Sequence, residues 1–193
     1  LEEMIRIRSV VGEESELAEY LRRELEALGL KCETDLVEPN RPNVYARLEG
    51  RRLGRRFMFN GHTDTVPVCE GWKTDPFTPV EQGGRLYGLG SCDMKGGIAC
   101  ALNALKAFAD SGFEFNGTLL FAGVIDEEAY SKGARAMLKT EYGKCDAILL
   151  CEPYPGDSTK PIPLGITGKI LYEVTVKGCA AHGFRPHLGI NAI

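Results

Sequence analysis

Phe59-Asn60-Gly61-His62-Thr63-Asp64-Thr65-Val66-Pro67 is the stretch around which the chain is organised. The apolar run Phe57-Met58-Phe59 predicts a buried strand, ended by the turn-prone pair Asn60-Gly61. His62 and Asp64 then stand two residues apart on extended backbone and point the same way, because side chains alternate with period 2. A carboxylate beside an imidazole fixes its tautomer and makes it a better metal ligand. Taken alone, His-x-Asp also fits an ordinary strand-end histidine in a polar loop. The acidic residues further along bear on the choice.

Gly88-Leu89-Gly90-Ser91-Cys92-Asp93-Met94-Lys95-Gly96-Gly97 precedes a predicted helix over Met94–Phe108. One alternative is a nucleotide- or phosphate-binding module using Gly88–Gly97. Asp93 argues against it, because a carboxylate at the helix start would repel a phosphate. An aspartate there is either a helix cap or a ligand. Asp126-Glu127-Glu128 follows a predicted buried strand at Thr118–Ile125, and Glu152-Pro153 closes another at Ala147–Cys151. Adjacent carboxylates repel one another unless solvated or neutralised by a cation. Ligand sites in open α/β sheets lie outside the carboxyl ends of the strands. Three acid-bearing strand ends and a helix-start aspartate converge there, and carboxylates mixed with imidazole suit zinc, cobalt or manganese.

The rest of the chain supplies the frame. Glu13–Leu28 has helical apolar spacing, and short strands are expected near Lys31–Leu36 and Asn43–Leu48. Arg51–Arg56 reads as a solvated hairpin turn, Glu70–Gly90 as a long loop and Ser131–Leu138 as a helix. Strands alternating with helices predict an α/β domain with a mixed, largely parallel sheet over residues 1–165. Ile170–Val176 alternates like an antiparallel strand, so a second domain is expected over 166–193. Both ends read as cut, as in a fragment.

The 193 residues are 44% hydrophobic and 26% charged, with a formal net charge of −4. That balance argues against a nucleic-acid or membrane-surface partner. Cys32, Cys69, Cys92, Cys100, Cys145, Cys151 and Cys179 form no CxxC spacing, which fits reduced thiols in a cytoplasmic protein better than a disulfide framework.

The chain resembles the zinc metallopeptidase and amidohydrolase family of acetylornithine deacetylase, succinyl-diaminopimelate desuccinylase, aminoacylase and bacterial glutamate carboxypeptidase. The likeness rests on Gly61–Pro67, Trp72 with Asp75-Pro76-Phe77, Tyr87-Gly88-x-Gly90, Asp93–Gly97, Asp126–Glu128, Glu152-Pro153, Ala181-His182, Pro186, Gly189 and Asn191-Ala192. It implies a layered α/β/α catalytic domain followed by the start of an α+β lid or dimerisation domain. By that resemblance His62 and Glu152 hold one zinc, Asp93 bridges two, and Glu128 holds the second with a histidine from a C-terminal part. Cobalt or manganese can substitute. Asp64 braces His62, Glu127 is the general base, and His182 reaches across a homodimer to the carbonyl under attack. His187 reads as a surface residue near a turn.

The resemblance implies a substrate that is an N-acyl amino acid or small peptide, cleaved at its amide bond. It also implies a cis peptide between Asp93 and Met94. Ala129-Tyr130 and Gly183-Phe184 depart from the family pattern around the substrate, and Leu89 stands where many relatives carry arginine. A catalytically inactive ligand-binding relative is a further alternative. Residues 1–193 alone are expected to be inactive and to hold at most one zinc tightly.

Overall fold

The computed structural model describes residues 1–153, 170, 172 and 174–192. The chain divides into two compact units, Leu1–Pro163 and Leu164–Ile193.

The first unit begins with a short helix, α1 (Glu2–Arg6), and an amphipathic one, α2 (Ser15–Ala27). Leu17, Ala18, Leu21 and Leu25 recur at helical spacing and are fully buried. On the charged face Arg22 reaches back to Glu19 (2.7 Å) and forward to Glu26. The strands are β1 (Lys31–Glu38), β2 (Arg41–Glu49) and β3 (Arg56–His62), followed by a small hairpin, β4 (Val80–Gln82) and β5 (Arg85–Tyr87). Then come α3 (Lys95–Asp110), β6 (Thr118–Val124), α4 (Lys132–Met137) and β7 (Ala147–Leu150).

The main sheet has the order β1-β2-β6-β3-β7. β3 pairs in parallel with both β6 and β7, whereas β2 is antiparallel to β1 and to β6. Only β2 therefore runs against the other four, giving the mixed sheet expected, with two parallel and two antiparallel pairings. Side chains alternate across it. Val44, Ala46 and Phe121 join Leu17, Leu21, Ile98 and Leu105 beneath α2 and α3. Tyr45, Leu120, Ala122 and Val124 face the other way, against Met137 and Tyr142. Tyr45 and Tyr142 stack at 4.4 Å. Two apolar faces on one sheet demand a cover on each side, which makes three layers.

Three expectations change. Arg51–Arg56 is not a hairpin turn, because β6 lies between β2 and β3. The connection wraps the start of β6 instead: Gly50 donates to the Gly117 carbonyl, and Gly117 to that of Arg52 (both 2.8 Å). The Glu70–Gly90 segment is not all loop, since it contains the β4–β5 hairpin. β7 is not buried: Ile148, Leu149 and Leu150 are half exposed, because β7 is an edge strand among the described residues.

In the second unit the described residues include a bridge between Cys179 and Ile190 and a 3-10 turn at Pro186–Leu188. Part of the strand expected over Ile170–Val176 lies outside the described residues. Its described positions belong to no strand. No helix among the described residues is long and apolar enough to cross a membrane.

Candidate metal centre

Parallel register brings the site together. His62 lies opposite Val124 on β6, and Asn60 lies opposite Leu150 on β7. The residues just beyond each strand, Asp64, Glu127-Glu128 and Glu152, therefore emerge on one rim of the sheet. Asp93 arrives from the connection before α3, whose N-cap is Met94, so Asp93 precedes the cap rather than forming it. The Asp93–Met94 peptide is cis, as the resemblance implies. The Met94 sulfur accepts the His62 backbone N–H at 3.0 Å, tying the start of α3 to the end of β3.

α3 also packs closely on the strand that carries Glu152. A Cβ on Gly97 would run into the carbonyl oxygen of Cys151, the residue before Glu152. That contact gives one of the glycines after Asp93 a packing role, and phosphate binding is not needed to explain it. The same end of α3 is anchored by Lys95, its first residue, whose buried ammonium donates to the carbonyls of Met4 and Ile7 (both 2.8 Å).

His62 is 2% exposed. Its Nδ1 lies 2.8 Å from the Asp64 backbone carbonyl. A carbonyl can only accept, so Nδ1 carries a proton, and Nε2 is the nitrogen that would bind an ion on giving up its own. Nε2 faces Asp93 Oδ1 at 3.0 Å and Glu152 Oε2 at 3.3 Å. The Asp64 carboxylate stands 3.6 Å from Nδ1. Its closer contacts are elsewhere: Oδ1 accepts the Glu127 N–H (3.1 Å) and Oδ2 the Glu128 N–H (2.9 Å). Of the two links to His62, the carbonyl of Asp64 makes the shorter, while its carboxylate clasps the acidic turn.

Ligand atoms of His62, Asp93 and Glu128 all lie within 4.8 Å of one another. Burial lowers the proton affinity of His62, but Glu152 and Asp64 more than offset it and raise its pKa to about 9. Burial and the Asp93 carboxylate hold Glu128 above the usual carboxylate value. Glu152 is raised by burial and by Asp93, against the lowering effect of His62. One imidazole and several mutually repelling carboxylates form a hard donor set that a divalent cation would neutralise. The residues present fit such an ion.

Asp126 does something different from its neighbours. It turns inward at a left-handed φ of 68° and is buried. Its Oδ1 accepts from Arg41 at 2.8 Å. Burial favours the neutral acid, but Arg41 and the N–H groups of Lys132 and Tyr130 hold its pKa below the ordinary value. Arg41, Glu14 and Asn43, which sustain this turn, went unnoticed in the sequence. The one available signal was an asparagine, Asn43, directly before the apolar run Val44-Tyr45-Ala46.

His182 belongs to the second unit, where its ring stacks on Phe184 and its carbonyl accepts the Arg185 N–H at 2.7 Å. His187 is exposed in the 3-10 turn.

Residues 58–186 match the model of peptidase family M20/M25/M40. The chain belongs to that family. This M20-family chain is 35% identical over 203 residues to the succinyl-diaminopimelate desuccinylase of Methylobacterium radiotolerans, covering 100% of this chain and 51% of that protein. It is 36% identical to the Parvibaculum lavamentivorans protein of the same name, covering 99% and 50%. The M20-family chain thus spans about half the length of the curated relatives it matches.

Among solved structures, human carnosine dipeptidase 1 superposes with a TM-score of 0.69 at 25% identity, over 78% of this chain and 37% of that one. An M20 family metallo-carboxypeptidase of Sulfolobus solfataricus gives the same score and identity, over 82% and 37%. These neighbours agree with the α/β fold of an M20-family catalytic domain.

Proposed function

We propose that the protein hydrolyses the amide bond of an N-acyl amino acid or small peptide with the help of two divalent cations, zinc in the first instance. The observation that carries this reading is the convergence of His62, Asp93 and Glu128 ligand atoms within 4.8 Å, beside Glu127. His62 and Glu152 would hold one cation, Glu128 the other, and Asp93 would lie between them. Bound there, the cations would lower the pKa of a water and polarise the substrate carbonyl. Cobalt or manganese would serve in place of zinc.

Glu127 is the general base. It is exposed on the rim while its backbone N–H is fixed by Asp64, so its carboxylate can accept a proton from water and deliver it to the leaving amine. His62, locked through Nδ1, keeps Nε2 turned toward the acidic cluster. The family resemblance gives His182 the substrate carbonyl, reached across a homodimer formed by the 166–193 region. Desuccinylase, dipeptidase and carboxypeptidase relatives all support an amide substrate. Seven free thiols fit a reducing compartment such as the cytoplasm.

The test, in the full-length protein, is Glu127→Gln. It should keep the metal content and lower kcat by about 10²–10⁴-fold, while chelation of the parent abolishes activity and zinc or cobalt restores it. An undiminished kcat in the variant would remove Glu127 from the role of base.

A further inference from the structure

We infer that Arg41 is a positioning residue for the turn bearing Glu127 and Glu128; the inference rests on the roles proposed for those two glutamates. The turn, residues 126–132, leaves β6 and enters α4 with left-handed φ values at both ends, 68° at Asp126 and 54° at Ser131. Such backbone persists only where its surroundings over-determine it. Its two ends are stitched together by Asn43 on β2. Asn43 Oδ1 accepts the Ile125 N–H at 3.0 Å, and its Nδ2 donates to the Gly133 carbonyl at 2.9 Å. The Gly133 N–H closes the loop on the Ile125 carbonyl at 3.2 Å, and a Cβ on Gly133 would strike both Ile125 and Asn43.

The inside of the turn is filled by Asp126. Its Oδ2 accepts from the backbone N–H of Tyr130 (3.1 Å) and Lys132 (3.3 Å). That carboxylate is buried and needs a counter-ion, which Arg41 supplies. Arg41 is shared. It grips the wholly buried Glu14 with two bonds, Nη2 to Oε1 at 2.6 Å and Nε to Oε2 at 2.9 Å, and also pairs with Glu38. Glu38 is bound in turn by Lys132 at 2.6 Å. Only a guanidinium fork spans Glu14, Asp126 and Glu38 at once, since an ammonium is a point charge on a flexible stem. Without it, two buried carboxylates face each other with no cation between them. Asp126 is then driven from the inside of the turn, and Glu127 and Glu128 lose the support opposite the Asp64 clasp.

The experiment compares the full-length protein with its Arg41→Lys and Arg41→Met variants. Cobalt titration followed by visible absorption reads the cation sites, and amide hydrogen exchange without metal reads the turn. In Arg41→Lys, exchange at Glu127 and Glu128 should quicken relative to β6. One of the two cobalt affinities should fall about 10–100-fold, as for loss of a group supporting a ligand. kcat should fall with KM little changed, and Arg41→Met should move further along each axis. A merely global destabilisation would quicken β6 equally and move both affinities together, which would overturn the inference. So would unchanged exchange at Glu127 and Glu128. If Arg41→Met fails to fold, Arg41→Lys still decides. If the parent itself binds no cobalt, the proposed function fails, while hydrogen exchange still judges Arg41.

Discussion

The two flanks of His62 are built differently. Toward β6, Asp64, Asp126, Asn43 and Arg41 fix the Glu127–Glu128 turn through buried polar bonds, several of them to backbone N–H groups. Toward β7, the Asp93 side chain is 58% exposed and that of Glu152 35% exposed, and both crowd the same imidazole nitrogen. A groove of about 800 Å³ opens beside this flank, between α3 and β7, with Leu149, Leu150, Cys92 and Cys100 among its walls. The first flank is held by the protein itself. The second is a set of like charges near a positive partner, and a cation has the most to contribute there. The contrast separates residues that shape the site from residues that need a metal to be shaped.

Asp64→Ala should show the largest effect on stability, because it leaves two N–H groups and the underside of the turn unsatisfied. Urea unfolding of the metal-free protein should show a loss on the order of 2–4 kcal/mol. A loss below about 0.5 kcal/mol would mean the β6 flank is no better built than the other.

Gly97→Ala should come next, at about 1–3 kcal/mol, because α3 must back away from Cys151. Thermal unfolding checks this, and Glu152 should lose its place at the same time, seen as weaker cobalt binding. A neutral Gly97→Ala would show that α3 and β7 already give way, sharpening the contrast with β6.

Lys95 offers a pH test on the same side. Burial lowers its pKa to about 8 from 10.5. Between those values the unfolded chain binds more protons than the fold, so stability should rise with pH across that window. The gain is lost again as pH falls through about 8. It should amount to on the order of 1–3 kcal/mol and vanish in Lys95→Met. A parent whose urea midpoint is flat from pH 8 to 10 would place Lys95 in a wetter setting than the fold shows.

Leu149→Thr should do least. At half exposure on an edge strand it should alter stability by about 0.5 kcal/mol or less. A cost above about 2 kcal/mol would show that β7 is covered in solution, and would break the comparison.

How far the sequence could be read follows the same division. His62, Asp93, Glu128 and Glu152 were visible because each ends an apolar run or opens a helix, and such signals are local. The exposure of β7 was not visible, since Ile148-Leu149-Leu150-Cys151 looks alike whether or not something lies against it. The wrapped connection at Arg51–Arg56 was missed because strand order is set by distant pairing. Arg41 and Asn43 were illegible for a similar reason: their partners Asp126 and Ile125 lie 85 and 82 residues away. Asp126 was read with its acidic neighbours, although a single left-handed residue turns it from the rim into the interior.

The placement of β3 between β6 and β7 has a kinetic consequence. Its contacts with those neighbours join residues 62 and 90 positions apart, as in Asn60 with Ala122 and Arg56 with Asp146. Parallel pairing over such separations forms slowly, because chain entropy is surrendered before the contacts reward it. The residues proposed as ligands become neighbours when those pairings close, so a cation would find no ready seat in the unfolded chain. Bound there, it would act chiefly as a latch on the finished molecule, slowing its opening more than hastening its assembly.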